Sequence, residues 1–252
     1  MSTLGVVVLS LHGMKHLSEC LESVRWAEAV TLLHAGEEAP TVGASAFPSL
    51  TLRKFSSTQE LAEHCQGVKT DWVLHLWGEE RVEAVLREEL RAVCQKELPQ
   101  APLGYRISIR SRLLGRWVEG SLLGPSPALR LSRQVEEIPT GWWDATRHSL
   151  RQYPVLGRGW IGDYSAAELR EGFDRVQNIS GLWADRLQTR GSKLTPMARL
   201  LCPLRVFIKM LLMNGIFSNG LAGLTLSTLA AYATLLASAK VWEARNVKSI
   251  AK

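Results

Sequence analysis

The apolar positions of this chain fall into short strand-like runs separated by helical stripes, followed by a long, nearly uncharged C-terminal tract. Val6 to Ser10 is a continuous apolar, mostly β-branched run, as expected for a strand covered on both faces. Leu17, Leu21 and Val24 recur at i, i+4 and i+7 with Cys20 beside them, which predicts a helix with one apolar stripe. Ala29 to Leu33 reads as a second buried strand, ending at His34-Ala35-Gly36-Glu37-Glu38, and Leu50 to Arg53 as a third. Ser57-Thr58-Gln59-Glu60 has capping-box spacing ahead of a helix that ends near Cys65. Asp71 to Leu76 is expected as the central strand, leading through a polar turn, Trp77-Gly78-Glu79-Glu80, into a helix. That helix is expected over Val82 to Val93, with Leu86, Leu90 and Val93 on one face and Glu80 at its start, where a carboxylate suits the helix dipole. Strand–helix–strand repetition with short links predicts an α/β fold, a mostly parallel sheet with helices on both faces. In such a sheet ligands bind beyond the carboxyl ends of the strands, which draws attention to Trp77-Gly78-Glu79-Glu80.

From about Ser165 the period becomes helical. Leu169, Phe173 and Val176 lie at i, i+4 and i+7, and the stripe continues at Ile179. The division expected is therefore residues 1–164 as one domain and 165–252 as a helical appendage. Arg190 to Pro196 reads as a turn, and Arg199 to Lys209 mixes cations with Leu, Val, Phe and Ile. Met210 to Ala239 contains no Asp, Glu, Lys, Arg or His, with an Asn219-Gly220 turn inside it. Leu221 to Ala239 approaches the thickness of a bilayer at helical rise. A spanning helix, an in-plane membrane hairpin and an oligomerisation pair all fit that pattern. Arg199, Arg205, Lys209, Lys240 and Arg245 tilt it toward shallow association with an anionic membrane face.

Composition narrows the partners. A formal charge of +6 and a pI near 9.3 suit nucleic acid, an anionic membrane or a phosphate-bearing small molecule. Nucleic acid ranks last, because no recognisable binding module accompanies the charge. The four cysteines form no CxxC pair, which argues against zinc and for reduced thiols in a cytoplasmic setting. Met1 to Ser10 has no basic n-region and no small-residue cleavage site, so it is expected as a strand and not an export signal. No GxGxxG follows the first strand and no GxxxxGK[ST] occurs, which weakens dinucleotide and P-loop readings.

The order of short motifs carries a resemblance. Cys20-Leu-Glu-Ser-Val-Arg-Trp26, Asp71-Trp-Val-Leu74, Glu80-Arg-Val82, Gly104-Tyr105, Leu114-Gly-Arg-Trp117 and Leu129-Arg-Leu131 follow one another along the first part. Phe207-Ile-Lys209, Asn219-Gly220 and Lys240-Val-Trp-Glu243 follow in the tail. In this order they resemble glycosyltransferase family 2, in the bacterial branch of lipopolysaccharide-core β-glucosyltransferases, over essentially the whole chain. The resemblance implies a GT-A-like nucleotide-sugar domain, an Asp after the second strand for the nucleobase, and an Asp-x-Asp turn after the central strand for a divalent metal. It also implies a carboxylate base for the acceptor hydroxyl and inversion at the sugar. Mg²⁺ or Mn²⁺ on a nucleotide diphosphate sugar is the implied cofactor, hard oxygen ligands being what such ions take.

Position by position, this chain departs from that pattern. The nucleobase position is His34. The Asp-x-Asp turn is Trp77-Gly78-Glu79, an indole and one longer carboxylate, so Glu79 is the expected metal ligand, while Glu80 either joins it at a metal or phosphate site or starts the following helix. Trp77 either fills the emptied pocket as core or stacks on a base or sugar. His75, inside the central strand, is expected as a hydrogen-bonded core histidine. Asp144, in Thr140-Gly-Trp-Trp-Asp144, is the nearest candidate base, and Gly162-Asp163 stands where the family has a metal-associated His. Arg110, Arg112, Arg116 and Arg130 either meet a diphosphate or lipid phosphate or line an exposed strand face, with Arg130 the one assigned to the donor. Two functions stay open. One is hexose transfer from a nucleotide sugar to a lipid-linked acceptor in envelope polysaccharide or lipopolysaccharide assembly, with metal-dependent catalysis weakened or lost. The other is an inactive pseudo-transferase serving as scaffold or regulatory subunit of a membrane complex, with protein partners or a second copy and no metal.

Overall fold

Leu4, Val6 and Val8 on one strand and Val30 and Leu32 on the next bury the same sheet face, and this pairing starts the architecture. The computed structural model describes residues 2–11, 15–36, 40, 49–95, 101–122, 126–133, 152–189, 196–214 and 216–250. Strands β1 (Leu4–Ser10), β2 (Ala29–His34), β3 (Leu50–Lys54) and β4 (Trp72–Trp77) pair in parallel in the order β3-β2-β1-β4. Helix α1 (Leu17–Ser23) lies between β1 and β2 in the chain, and α2 (Thr58–Gln66) between β3 and β4. Leu17, Cys20 and Leu21 of α1 are buried, as the stripe predicts.

Beyond β4 the sheet changes character. It continues β8 (Ala128–Ser132), β6 (Gly104–Leu113), β9 (Val155–Asp163), β5 (Glu80–Val82), with β7 (Arg116–Glu119) on β6. β4–β8, β6–β8 and β5–β9 are antiparallel. The expected α/β class is present, with its parallel part in β1 to β4. Helix α3 (Ala84–Cys94) buries Leu86, Leu90 and Val93, the predicted face. It starts later than expected, because Glu80 to Val82 is drawn into pairing with β9. Two details fix these elements. Ser57 accepts from the Glu60 amide at 3.1 Å, and Glu60 reaches back to the Ser56 amide at 2.7 Å. Glu89 of α3 accepts from the Gly159 amide at 2.8 Å, and a Cβ at Gly159 would fall on the Leu86 backbone.

Among the described residues the chain forms two compact units, 2–110 with 126–133 and 152–164, and 111–122 with 165–250. The second holds α4 (Leu169–Thr189), α5 (Pro196–Asn214) and α6 (Ile216–Ile250). Gly220 breaks α6 with φ 51°, a left-handed value that glycine accepts without strain, at the predicted Asn219-Gly220 turn. From there Asn219–Asn246 is one helix long and apolar enough to cross a membrane, with half of its most apolar window buried. Its buried side is built of Ala222, Leu226, Leu229, Ala230, Ala233 and Ala237. The hydroxyls of Thr225, Ser227, Thr228 and Ser238 each donate to the carbonyl four residues back, so they ask nothing of solvent. Lys240 Nζ donates to Ser180 Oγ and to the Gln177 carbonyl, both at 2.9 Å, pinning α6 to α4.

Candidate functional site

The parallel strands end side by side. Ser10 of β1 pairs with His34 of β2, and Leu9 of β1 pairs with Trp77 of β4. Two strand spacings therefore separate His34 from the turn after β4, roughly 10 Å. Lys54, the last residue of β3, is the register partner of His34 on the other side. His34 and the 77–79 turn thus flank the end of β1, the place where an open α/β sheet receives ligands.

Alternation along β4 sorts its side chains. Trp72, Leu74 and Leu76 enter the core shared with α1 and α3, so His75 and Trp77 take the opposite face. Trp77 is 2% exposed, and this large side chain is core. Burial and the nearby Arg130 push His75 from the ordinary 6.5 to about 3, so it is neutral at physiological pH. Its Nδ1 is buried without a hydrogen-bond partner among the described residues, which departs from the satisfied core histidine expected.

The turn is held from several sides. The Gly78 amide donates to the Leu9 carbonyl at 2.9 Å, and the Tyr164 amide donates to the Glu79 carbonyl at 3.0 Å. Cys20 Sγ donates to the Trp77 carbonyl at 3.4 Å, and burial, ahead of the Glu80 charge, pushes that thiol well up. Glu80 is fully buried. Its Oε2 accepts from the Trp77 amide at 2.9 Å, and its Oε1 accepts from Arg130 at 2.6 Å. Arg130 also donates to the His75 carbonyl at 3.3 Å. Glu80 does not cap the following helix. It is a strand residue whose carboxylate joins β4, β5 and β8, because β9 returns to pair Asp163 with it.

The predicted site residues thus part company. His34 and Glu79, each 7% exposed, stand at the strand ends with Trp77. Arg130 is buried and engaged with Glu80. Asp144 lies outside the described residues. Of the other arginines, Arg110 lies 4.3 Å over the Trp160 ring, Arg112 lies 5.5 Å over Trp117, and Arg116 is exposed. One cluster escaped the sequence reading. Arg81 sits 3.9 Å over the Tyr164 ring, pairs with Glu19 at 3.4 Å and donates to His16 Nδ1 at 3.2 Å. Glu19 is held below the ordinary carboxylate range by its own backbone amide, then by Arg81 and His16. The signal was available, since Glu80-Arg81-Val82 stands among the family motifs, yet Arg81 received no role.

A divalent ion does not fit this turn in the way the family motif would hold it. Trp77 offers no ligand oxygen, both Glu80 oxygens are engaged, and Glu79 is one carboxylate. Among the described residues no group of three or more His, Cys, Asp or Glu is placed to hold a metal.

No family model matches the chain. Among solved structures it is similar to S. aureus TarS 1–349, with TM-score 0.43 and 9% identity over 97% of this chain and 92% of that one. The likeness to a longer S. aureus TarS chain has the same score and identity over 96% of this chain, which spans 55% of that one. A Bacillus anthracis protein described as a glucose-1-phosphate thymidylyltransferase, in complex with a sucrose, gives 0.38 and 10% over 67% and 94%. Such scores are too low to establish a shared fold or a shared activity.

Proposed function

We propose that this chain is a family 2 glycosyltransferase-like protein that binds a nucleotide diphosphate sugar at the ends of β1, β2 and β4. The observation that carries the reading is the register that sets His34, Ser10 and Trp77-Gly78-Glu79 along one edge of a parallel β3-β2-β1-β4 sheet. That edge is where the sequence resemblance expects a GT-A-like domain to take its donor. His34 meets the base, and Glu79 is the carboxylate that stands at the diphosphate end, where Mg²⁺ or Mn²⁺ would accompany the donor. Arg130 acts there indirectly, by holding Glu80 and so the turn. Asp144 is retained as the candidate base for the acceptor hydroxyl. The acceptor class is a lipid-linked saccharide of envelope polysaccharide or lipopolysaccharide assembly, met at the cytoplasmic face of the inner membrane through residues 199–245.

The engaged Glu80 and the buried Trp77 favour weakened or lost metal-dependent transfer, and through it the second reading, an inactive scaffold or regulatory subunit. Calorimetric titration with UDP-sugars, with and without Mn²⁺, tests both. The transferase-like reading expects binding that Mn²⁺ strengthens by less than about tenfold, the worth of one modest contact. Binding that appears only with Mn²⁺ contradicts the weakened metal site. No binding under any condition removes the donor site and leaves the scaffold.

A further inference from the structure

Helix α5 wears its apolar residues on the outside. Leu201, Leu204, Ile208 and Leu212 are exposed at steps of three, four and four, so they share one face. Leu204 is 55% exposed and Leu212 78%. Arg205 and Lys209 are exposed beside that stripe, while Val206 and Met210 on the opposite face are buried. The neighbouring α4 behaves like an ordinary surface helix, for beyond Phe173 its exposed positions are Asp174, Gln177, Asn178, Asp185 and Gln188. An apolar ridge of this kind on a water-facing surface marks a contact.

We infer that the outer face of α5 docks in the plane of an anionic lipid leaflet, its leucines among the acyl chains and Arg205 and Lys209 at the phosphates. The inference rests on the membrane-surface reading given above and deepens it by naming the helix, the face and the lipid charge. Charge selects the occupant. From Arg186 to Trp242 the chain has seven basic residues and no acidic one. A second copy set on this face would bring like charges together, whereas anionic headgroups meet them. Orientation follows as well. A spanning α5 would bury Arg205 and Lys209 near mid-helix, at high cost, and Pro203 interrupts its hydrogen bonding. Lying flat, the helix keeps both cations at headgroup level.

The test is co-flotation of the full chain with vesicles of phosphatidylcholine alone or mixed with phosphatidylglycerol. The wild type is expected to bind the mixed vesicles, to be released by high salt and to leave the membrane in alkaline carbonate. Arg205→Gln with Lys209→Gln should weaken binding roughly twentyfold or more, at about fivefold per cation. Leu204→Glu with Ile208→Glu should abolish it, while Gln188→Glu on α4 should not change it. Equal binding to both vesicle types, retention in carbonate, or a lipid-free self-association relieved by Leu204→Glu with Ile208→Glu would each overturn the inference. UDP-sugar titration of the same variants should match wild type. A wild type that binds a UDP-sugar but does not float with the mixed vesicles sinks the docking face alone, and absent sugar-nucleotide binding sinks only the donor site.

Discussion

The turn after β4 and the outer face of α5 break opposite rules. At the turn, charge is buried, with Glu80 fully enclosed and Arg130 almost so. On α5, leucines stand in the open. Buried charge and exposed apolar ridges are the two observations most informative about a protein surface. The first is resolved inside the chain by a 2.6 Å ion pair and a backbone amide, so its role is to hold the turn's shape. The second is not covered on its outer side among the described residues, and so it points to something outside the chain. A charged residue near a site is therefore not evidence of chemistry until its oxygens are accounted for.

The contrast can be broken most forcefully at Glu80. Glu80→Ala leaves Arg130 buried without its carboxylate and should cost about 3–5 kcal/mol in chemical denaturation. Replacing both Glu80 and Arg130 by Met should recover most of that loss. If Glu80→Ala is nearly silent, the ion pair is not what holds the turn. His75 gives an effect of comparable size. Its folded pKa of about 3 lies below its ordinary 6.5, so the unfolded chain takes up the proton first as pH falls. Stability is then unaffected above about pH 6.5 and declines toward pH 3, by about 4 to 5 kcal/mol. In His75→Gln that part of the acid slope should vanish, as measured by denaturation at stepped pH. Ser57→Ala, which removes the cap of α2, should cost about 1 kcal/mol of thermal stability. The smallest effect is expected on α5. Leu204→Glu should change stability by no more than about 0.5 kcal/mol, because an exposed leucine contributes little to the fold. A large loss there would show that the ridge packs within the protein after all.

Much of this was legible in the residues, and the limit has a physical cause. β1, β2 and β4 announce themselves as continuous apolar runs because parallel strands are covered on both faces. The α3 face and the Ser57 cap follow from local spacing alone. What local spacing cannot hold is the partner. Glu80 looks like the start of a helix until β9, some eighty residues later, claims it for a strand. Arg130 looks like a free cation for a phosphate until the fold places Glu80 against it. Arg81 stands inside a motif the sequence offers, but its partners Glu19 and Tyr164 appear only in the fold. Conversely, the cations of α5 stand out in the sequence, but only exposure shows that its leucines share the outward face.

The central claim is that a nucleotide sugar binds at the ends of β1, β2 and β4. Amide hydrogen exchange of the full chain, with and without a UDP-sugar, addresses it most directly. The account predicts added protection at Ala35, at Gly78 and Glu79, and at the neighbouring end of β1, without a requirement for Mn²⁺. Protection that appears elsewhere in the chain, or none at any nucleotide concentration, contradicts it.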